Sequence, residues 1–412
     1  MRIEDLKTER VGLCVSGGLD SRTLTRKLTD SGVAVIAFSA NLAQPDETDI
    51  EDIRRKMAPC GAELVMVDLR EEMAEACFNA LKAQAMYDGG YWNSTGLGRA
   101  VTVRGLLPAM KEKGCTVLAH GATGRGNDQM RFERYTNVLA PEMKVYAPWR
   151  DPTFLRDFPG RKQMAAYLTK CGLEAGGVEK KRYSTDANLA GLSHEAEDLE
   201  SLETPCTIVE PVMCVWPHDA PEKPEPVTVS FQQGRACAIN GQEMGPFELM
   251  LRANEIAGRN GIGLKNALEN RIIGTKSRGV YEAPGMELLG RCLNVIYQAT
   301  MDRRAGRLFR VLSRTVSDQI YDGRYFDPTT RAAMTAVNFL AAYATGTVQV
   351  ALYKGQIYFR ALRDCAASIY NEADSSMEES AGLNPVSSQG YAEIQSVEAL
   401  SLRKAGQIGD HA

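Results

Sequence analysis

The feature that most constrains this chain is the apolar run Leu13-Cys14-Val15 leading straight into Ser16-Gly17-Gly18-Leu19-Asp20-Ser21. A helical stretch follows, from about Ser21 to Asp30. Strand, two glycines and helix in that order require a tight turn at the end of a strand. Glycine permits such a turn, and the N–H groups at a helix start attract an anion. The Ser21 hydroxyl would complete a phosphate cradle. A plain strand-to-helix turn capped by Ser or Asp would use the same residue types, so the surroundings must decide. No Gly-xxxx-Gly-Lys-Ser/Thr run occurs, which excludes a Walker-type loop.

The surroundings repeat the pattern. Val11–Val15, Val33–Ala40, Glu63–Leu69, Thr116–Ala119 and Lys144–Ala147 read as strands. Helical spacing fills the gaps after Pro45, over Glu71–Met86 and over about Leu97–Lys113. Strands alternating with helices imply an α/β doubly wound parallel sheet, whose ligands bind beyond the carboxyl ends of the strands. The loops after Val15, Ala40 and Ala119 are therefore the places to look for chemistry.

The pattern changes after Trp149. A loop-rich stretch ends in Pro217, Pro221, Pro224 and Pro226 and reads as irregular. Hairpins are expected at 227–239 and 347–362, and helices over Pro246–Asn260 and Met286–Leu312. This second part reads as α+β, and an amphipathic segment at about Ile394–Ala405 reads as a C-terminal tail helix. The expected divisions are a nucleotide-binding domain over 1–172, a synthetase domain over 173–380 and an oligomerisation tail over 381–412.

Composition narrows the function classes. A net charge of -4 with no Lys/Arg-rich block offers no basic surface for nucleic acid. The charged N-terminus lacks a signal-peptide core, and no apolar stretch is long enough for a membrane helix. A cytoplasmic enzyme of small molecules fits this balance. Ten scattered cysteines with no CxxC pair read as small apolar residues in a reducing compartment. With four histidines and no HExxH, no protein-held metal site is expected.

Two further segments carry polar chemistry. His120–Glu133 (His-Gly-Ala-Thr-Gly-Arg-Gly-Asn-Asp-Gln-Met-Arg-Phe-Glu) follows the fourth strand. Its glycines allow close backbone approach, and its Asn, Asp and Arg suit the charged ends of an amino acid. Glu269–Glu282 is ambiguous, because a charged helix end followed by a basic loop would look the same. Single residues weigh less: His194 reads as a surface histidine and Trp149 as packing.

In order along the chain, these segments resemble the argininosuccinate synthases, and the resemblance runs from Val11 to about Leu402. Ser16–Ser21 is similar to that family's pyrophosphate loop, His120–Glu133 to its aspartate-binding loop, and Glu269–Glu282 to its ureido-acceptor segment. Ala147–Arg150, Gly160-Arg161, Ser184–Leu189 and Thr300–Arg303 also fall where the family has them. The resemblance implies an AMP-forming carbon–nitrogen ligase that joins citrulline to aspartate through an adenylylated ureido group, releasing pyrophosphate and giving argininosuccinate. It implies ATP at Cys14, Ser16, Gly17, Gly18, Leu19, Asp20, Ser21, Ala40 and Gly121, with magnesium on the phosphates. It implies aspartate at Thr123, Asn127 and Asp128, and the acceptor at Tyr91, Thr95, Asn127, Arg131, Ser184, Ser193, Glu269 and Tyr281. Asp128 and Arg131 would align charge during the reaction, and a homotetramer is implied.

Some positions depart from the family. Arg22 stands where its phosphate loop has a small residue, and Gly96 where a serine contacts the acceptor's amino-acid head. Asp88-Gly89-Gly90 and Trp92-Asn93 also differ, in the segment that reads the end of the acceptor distal to the ureido group. These changes motivate two alternatives: a ligase joining aspartate to another ureido or amide acceptor, and a non-catalytic nucleotide-binding homologue.

Overall fold

The structure, a computed structural model, describes all residues except 48, 125, 175–181, 377, 379–383 and 409–412. Arg125 of the second polar segment and the expected tail boundary at 380–381 lie outside the described residues.

The first elements are β1 (Arg10–Cys14), α1 (Leu19–Asp30), β2 (Ala34–Asn41), α2 (Ile50–Met57), β3 (Glu63–Asp68), α3 (Arg70–Lys82), α4 (Ser94–Glu112), β4 (Val117–His120), α5 (Asp128–Leu139) and β5 (Lys144–Tyr146). All five strands run parallel in the order β3-β2-β1-β4-β5. The doubly wound sheet expected from the alternation is present. Both its faces are covered, which is why its strands read as continuous apolar runs. Val11 and Leu13 face Leu24, Leu28, Ile53 and Met57, while Phe38 and Leu118 face Leu106, Leu107 and Met110. Gly12 lets helix α4 approach β1, since a Cβ there would lie 3.0 Å from Met110 Sδ. Strand order reverses between β1 and β4, so a crevice opens beyond their carboxyl ends.

Next come α6 (Pro152–Asp157), α7 (Arg161–Lys170), β6 (Ser184–Asn188), β7 (Gly191–Glu195), β8 (Glu225–Gln232), β9 (Arg235–Ile239), β10 (Gln242–Glu243) and α8 (Pro246–Arg259). After them lie β11 (Leu264–Asn270), β12 (Lys276–Glu282), α9 (Pro284–Thr300), α10 (Arg303–Tyr321), α11 (Pro328–Ala341), β13 (Gly346–Tyr353) and β14 (Gln356–Arg363). They build two antiparallel sheets, β10-β9-β8-β13-β14 and β11-β12-β7-β6.

Three expectations change here. The single helix expected over Met286–Leu312 is two helices, because Met301 is extended and the Asp302 carboxylate caps α10 by accepting from Arg304 and Ala305 N–H. The stretch expected to be irregular contains the β6–β7 hairpin, and Glu269–Glu282 spans a second hairpin rather than a helix end. His194 is not a surface residue. It is fully buried, its Nε2 2.7 Å from Glu282 Oε1, on a carboxylate that also accepts from Val212, Met213 and Cys214 N–H.

All ten cysteines are free thiols. Among the described residues no helix is long and apolar enough to cross a membrane. Met1–Ala367 forms one compact unit, and Ser368–Ala412 a second. The second unit carries α12 (Glu372–Ser375) and α13 (Ser387–Lys404), the latter with Tyr391, Ile394, Val397 and Leu400 exposed.

Candidate active site

The loop after β1 is shaped by its glycines. Gly17 sits at φ 74°, in the left-handed region, and Gly18 precedes α1 without a side-chain cap, so the first N–H groups of the helix stay available to an anion. Ser21 Oγ accepts from Ser16 N–H at 3.0 Å and lies 3.4 Å from Ser16 Oγ, which draws both hydroxyls to the turn. Leu19 and Asp20 open the helix, and Cys14 ends β1 beside Phe38 and His120. Ala40 lies near the end of β2, its carbonyl accepting from Gln44 Nε2 at 3.1 Å. A Cβ on Gly121 would be 3.8 Å from Asp20 Cβ, so the loops after β1 and β4 lie side by side. Burial raises the Asp20 carboxyl, with Arg161 opposing.

Beyond Gly121 the second loop turns back on itself, with Gly126 N–H donating to Thr123 O and Thr123 exposed. His120, under the loop, is pushed down to about 3 by burial, with Arg150 adding to the effect, and so stays neutral. Its Nδ1 accepts from Ala122 N–H at 3.2 Å.

Helix α5 then starts with the polar residues. Asp128 is held from two sides: Arg99 Nε donates to Oδ2 and Arg131 Nη1 to Oδ1, both at 2.9 Å. Burial alone would raise this carboxyl, but the two guanidinium groups outweigh it and hold the group below the usual range. Arg99 also reaches Asp186 Oδ1 at 2.7 Å, tying α4 to β6. Asn127 is bound at both ends of its amide, donating to the Tyr321 hydroxyl at 2.8 Å and accepting from Ile272 N–H at 3.0 Å.

The four-stranded sheet supplies the opposite wall. Side chains alternate across a sheet. The register therefore puts Ser184 and Asp186 of β6, Ser193 and Glu195 of β7, Tyr281 of β12 and Glu269 of β11 on one face. Ser184, Ser193, Glu269 and Tyr281, expected from the sequence to hold the acceptor, thus come together, while His194 and Glu282 face the other way. Tyr281 stacks on Tyr91 with centroids 4.1 Å apart, and the Tyr91 hydroxyl accepts from Thr95 N–H at 3.0 Å. Glu269 is 5% exposed, with Oε1 accepting from Ser277.

Three residues in the crevice carry no local signal in the sequence. Arg99 bridges Asp128 and Asp186. Tyr321 stacks on Tyr87 at 3.7 Å, lies under the Arg131 guanidinium, and offers its carbonyl to Arg131 Nε. Glu195 is pushed up to about 7 by burial and by Asp128, Asp186 and Glu269. The 39% of its side-chain surface still open to water moderates that shift.

Arg22, Trp92 and Asn93 turn away from the crevice, whereas the Asp88–Gly90 turn packs on its wall. Arg22 Nη1 donates to Glu174 O at 2.7 Å, beyond the end of α7. Trp92 is buried in the core against Gly290, its Nε1 donating to Glu287 at 2.9 Å, and Asn93 bonds to Ala85 O and Ser317. A Cβ on Gly96 would lie 3.0 Å from Ile320 O. Gly89, at φ 69°, lets the Asp88–Gly90 turn press on β11, where a Cβ would meet Ala267 Cβ at 2.8 Å.

Two family models match the chain. The arginosuccinate synthase N-terminal HUP domain covers residues 10–174, and the arginosuccinate synthase C-terminal domain covers residues 183–402.

Proposed function

The chain belongs to the argininosuccinate synthase family and is a ligase of that family, and we propose that it condenses citrulline with aspartate using ATP, giving argininosuccinate, AMP and pyrophosphate. The observation that carries this reading is the meeting of three sets in one crevice: the glycine loop after β1, the Asp128–Arg99–Asp186 chain, and the sheet face bearing Ser184, Ser193, Glu269 and Tyr281.

The nucleotide's phosphates would sit on the Ser16–Ser21 loop and the start of α1, next to Gly121. Magnesium would arrive on those phosphates and neutralise their charge; among the described residues no group of three or more His, Cys, Asp or Glu is placed to hold a metal ion. The acceptor would lie along the sheet face, its ureido oxygen attacking the α-phosphorus and displacing pyrophosphate. Aspartate would lie at Thr123, Asn127 and Asp128, its amine attacking the activated carbon and expelling AMP. Asp128 and Arg131 serve as fixed charges that align substrates, since the paired Asp128 carboxylate is a poor base. Alignment and charge stabilisation account for most of the rate in such a scheme.

The burial of Trp92 and Asn93 removes two motives for another acceptor, and the turn of Arg22 toward Glu174 leaves the phosphate loop open. The exposed apolar residues of α13 support a homotetramer in which this helix finds a partner surface, and the reading carries a cytoplasmic setting with it. The test is pyrophosphate release with ATP, magnesium and aspartate, with and without citrulline. Citrulline-dependent release together with argininosuccinate by mass supports the reading. Release with another ureido or amide compound only would replace citrulline as the acceptor.

A further inference from the structure

We propose that Glu195 is a further catalytic residue, whose carboxylate takes the proton that the aspartate ammonium must lose before its nitrogen attacks. This rests on the ligase reading above. One proton passes from the ammonium to a Glu195 carboxylate oxygen. The freed nitrogen pair forms the C–N bond, the C–O bond to AMP breaks with its electrons leaving on the phosphate oxygen, and the second nitrogen proton passes to water.

Position supports the assignment. Glu195 lies on the site face of β7, two residues from Ser193 and in register with Ser184. Its other cross-strand neighbour is Gly279, and the phenol end of Tyr281 lies over that glycine, where a Cβ would be 2.7 Å from the hydroxyl. The groups that act on Glu195 are Asp128 and Asp186 from the aspartate side, Glu269 from the acceptor side, and Arg271. It therefore stands at the seam where the two substrates would meet.

The other candidates are committed elsewhere. Asp128 is held by two guanidinium groups and Asp186 by one. Glu269 is 5% exposed and lies among Tyr91, Tyr281 and Tyr321, whereas Glu195 is far more open to water. His120 is buried under its own loop. Glu195 has a loose contact to Arg271 at 3.9 Å and keeps 39% of its side chain open, so it can accept a proton and pass it to water. Its raised value, about 7, lies where a general base works best at neutral pH.

The test compares Glu195→Gln with the full-length wild type in two assays. One is citrulline-dependent exchange of labelled pyrophosphate into ATP without aspartate, which needs no amine. The other is argininosuccinate formation. Product formation should fall about 10²–10⁴-fold, at least about tenfold more than exchange, and the deficit should shrink as pH rises toward the amine's own value. Glu195→Asp should recover part of the rate. Equal loss in both assays at every pH would overturn the proposal and make Glu195 an acceptor-binding group. Near-wild-type product formation would also overturn it. If the wild type shows neither exchange nor argininosuccinate, the ligase reading falls and the proposal falls with it.

Discussion

Replacing Arg99 by lysine tests how the crevice holds its charges. In the structure one guanidinium serves two carboxylates, with Nε at 2.9 Å from Asp128 and Nη2 at 2.7 Å from Asp186. A lysine ammonium keeps the charge but is a single point, so it cannot match that fork. One charge-assisted hydrogen bond is lost, worth about 1.5–3 kcal/mol. Both carboxylate side chains are 25% exposed, so the lower part of that range applies. Expressed as transition-state stabilisation, this is about a ten- to thirtyfold fall in kcat/KM for aspartate. The fall in kcat/KM for citrulline should be smaller, because Ser184, Ser193, Glu269 and Tyr281 are untouched. The assay is steady-state pyrophosphate release with aspartate varied at saturating ATP and citrulline, then with citrulline varied. Circular dichroism checks that the fold persists. An aspartate kcat/KM unchanged by Arg99→Lys would refute the view that this bridge positions Asp128.

Further outcomes follow from other contacts. Tyr321→Phe removes the hydroxyl that accepts from Asn127 but keeps the ring stacked on Tyr87, so activity should fall about two- to tenfold with the thermal midpoint nearly unchanged. Gly290→Ala places a Cβ 2.4 Å from the Trp92 ring and should destabilise by about 1–3 kcal/mol, seen as a lower unfolding midpoint and altered tryptophan emission. Trp92→Phe in the same chain should recover part of that loss. Glu282→Ala strips three backbone N–H groups and His194 of a fully buried partner, and should cost about 3–5 kcal/mol on denaturant unfolding. On pH, Glu195 has a raised value and is a base only when ionised, so the wild-type rate should be half-maximal near about 7, level off above it and decline below it. Glu195→Gln should remove that acid limb.

Much of the N-terminal HUP domain is legible without coordinates. Parallel strands covered on both faces leave unbroken apolar runs, and the turn at Gly17-Gly18 depends on local backbone geometry. The order of strands and helices then places the loops after Val15, Ala40 and Ala119 at one edge of the sheet. In the second half the hairpins at 227–239 and 347–362 are legible from alternation, but the strands that line the crevice are not. Ser184 and Asp186 of β6 and Glu269 of β11 turn polar side chains toward the crevice, so no apolar alternation marks these strands.

What the chain's order of residues determined alone was the doubly wound sheet, its glycine turn after β1 and the polar loop beside it, since each follows from local periodicity and glycine conformation. Only the tertiary structure decided which distant groups meet. It brought Tyr321 to Asn127, Arg99 to Asp186, Gly290 to Trp92 and Glu174 to Arg22, and it buried His194 against Glu282. No local propensity records such contacts, because each depends on the packing of elements far apart in the chain.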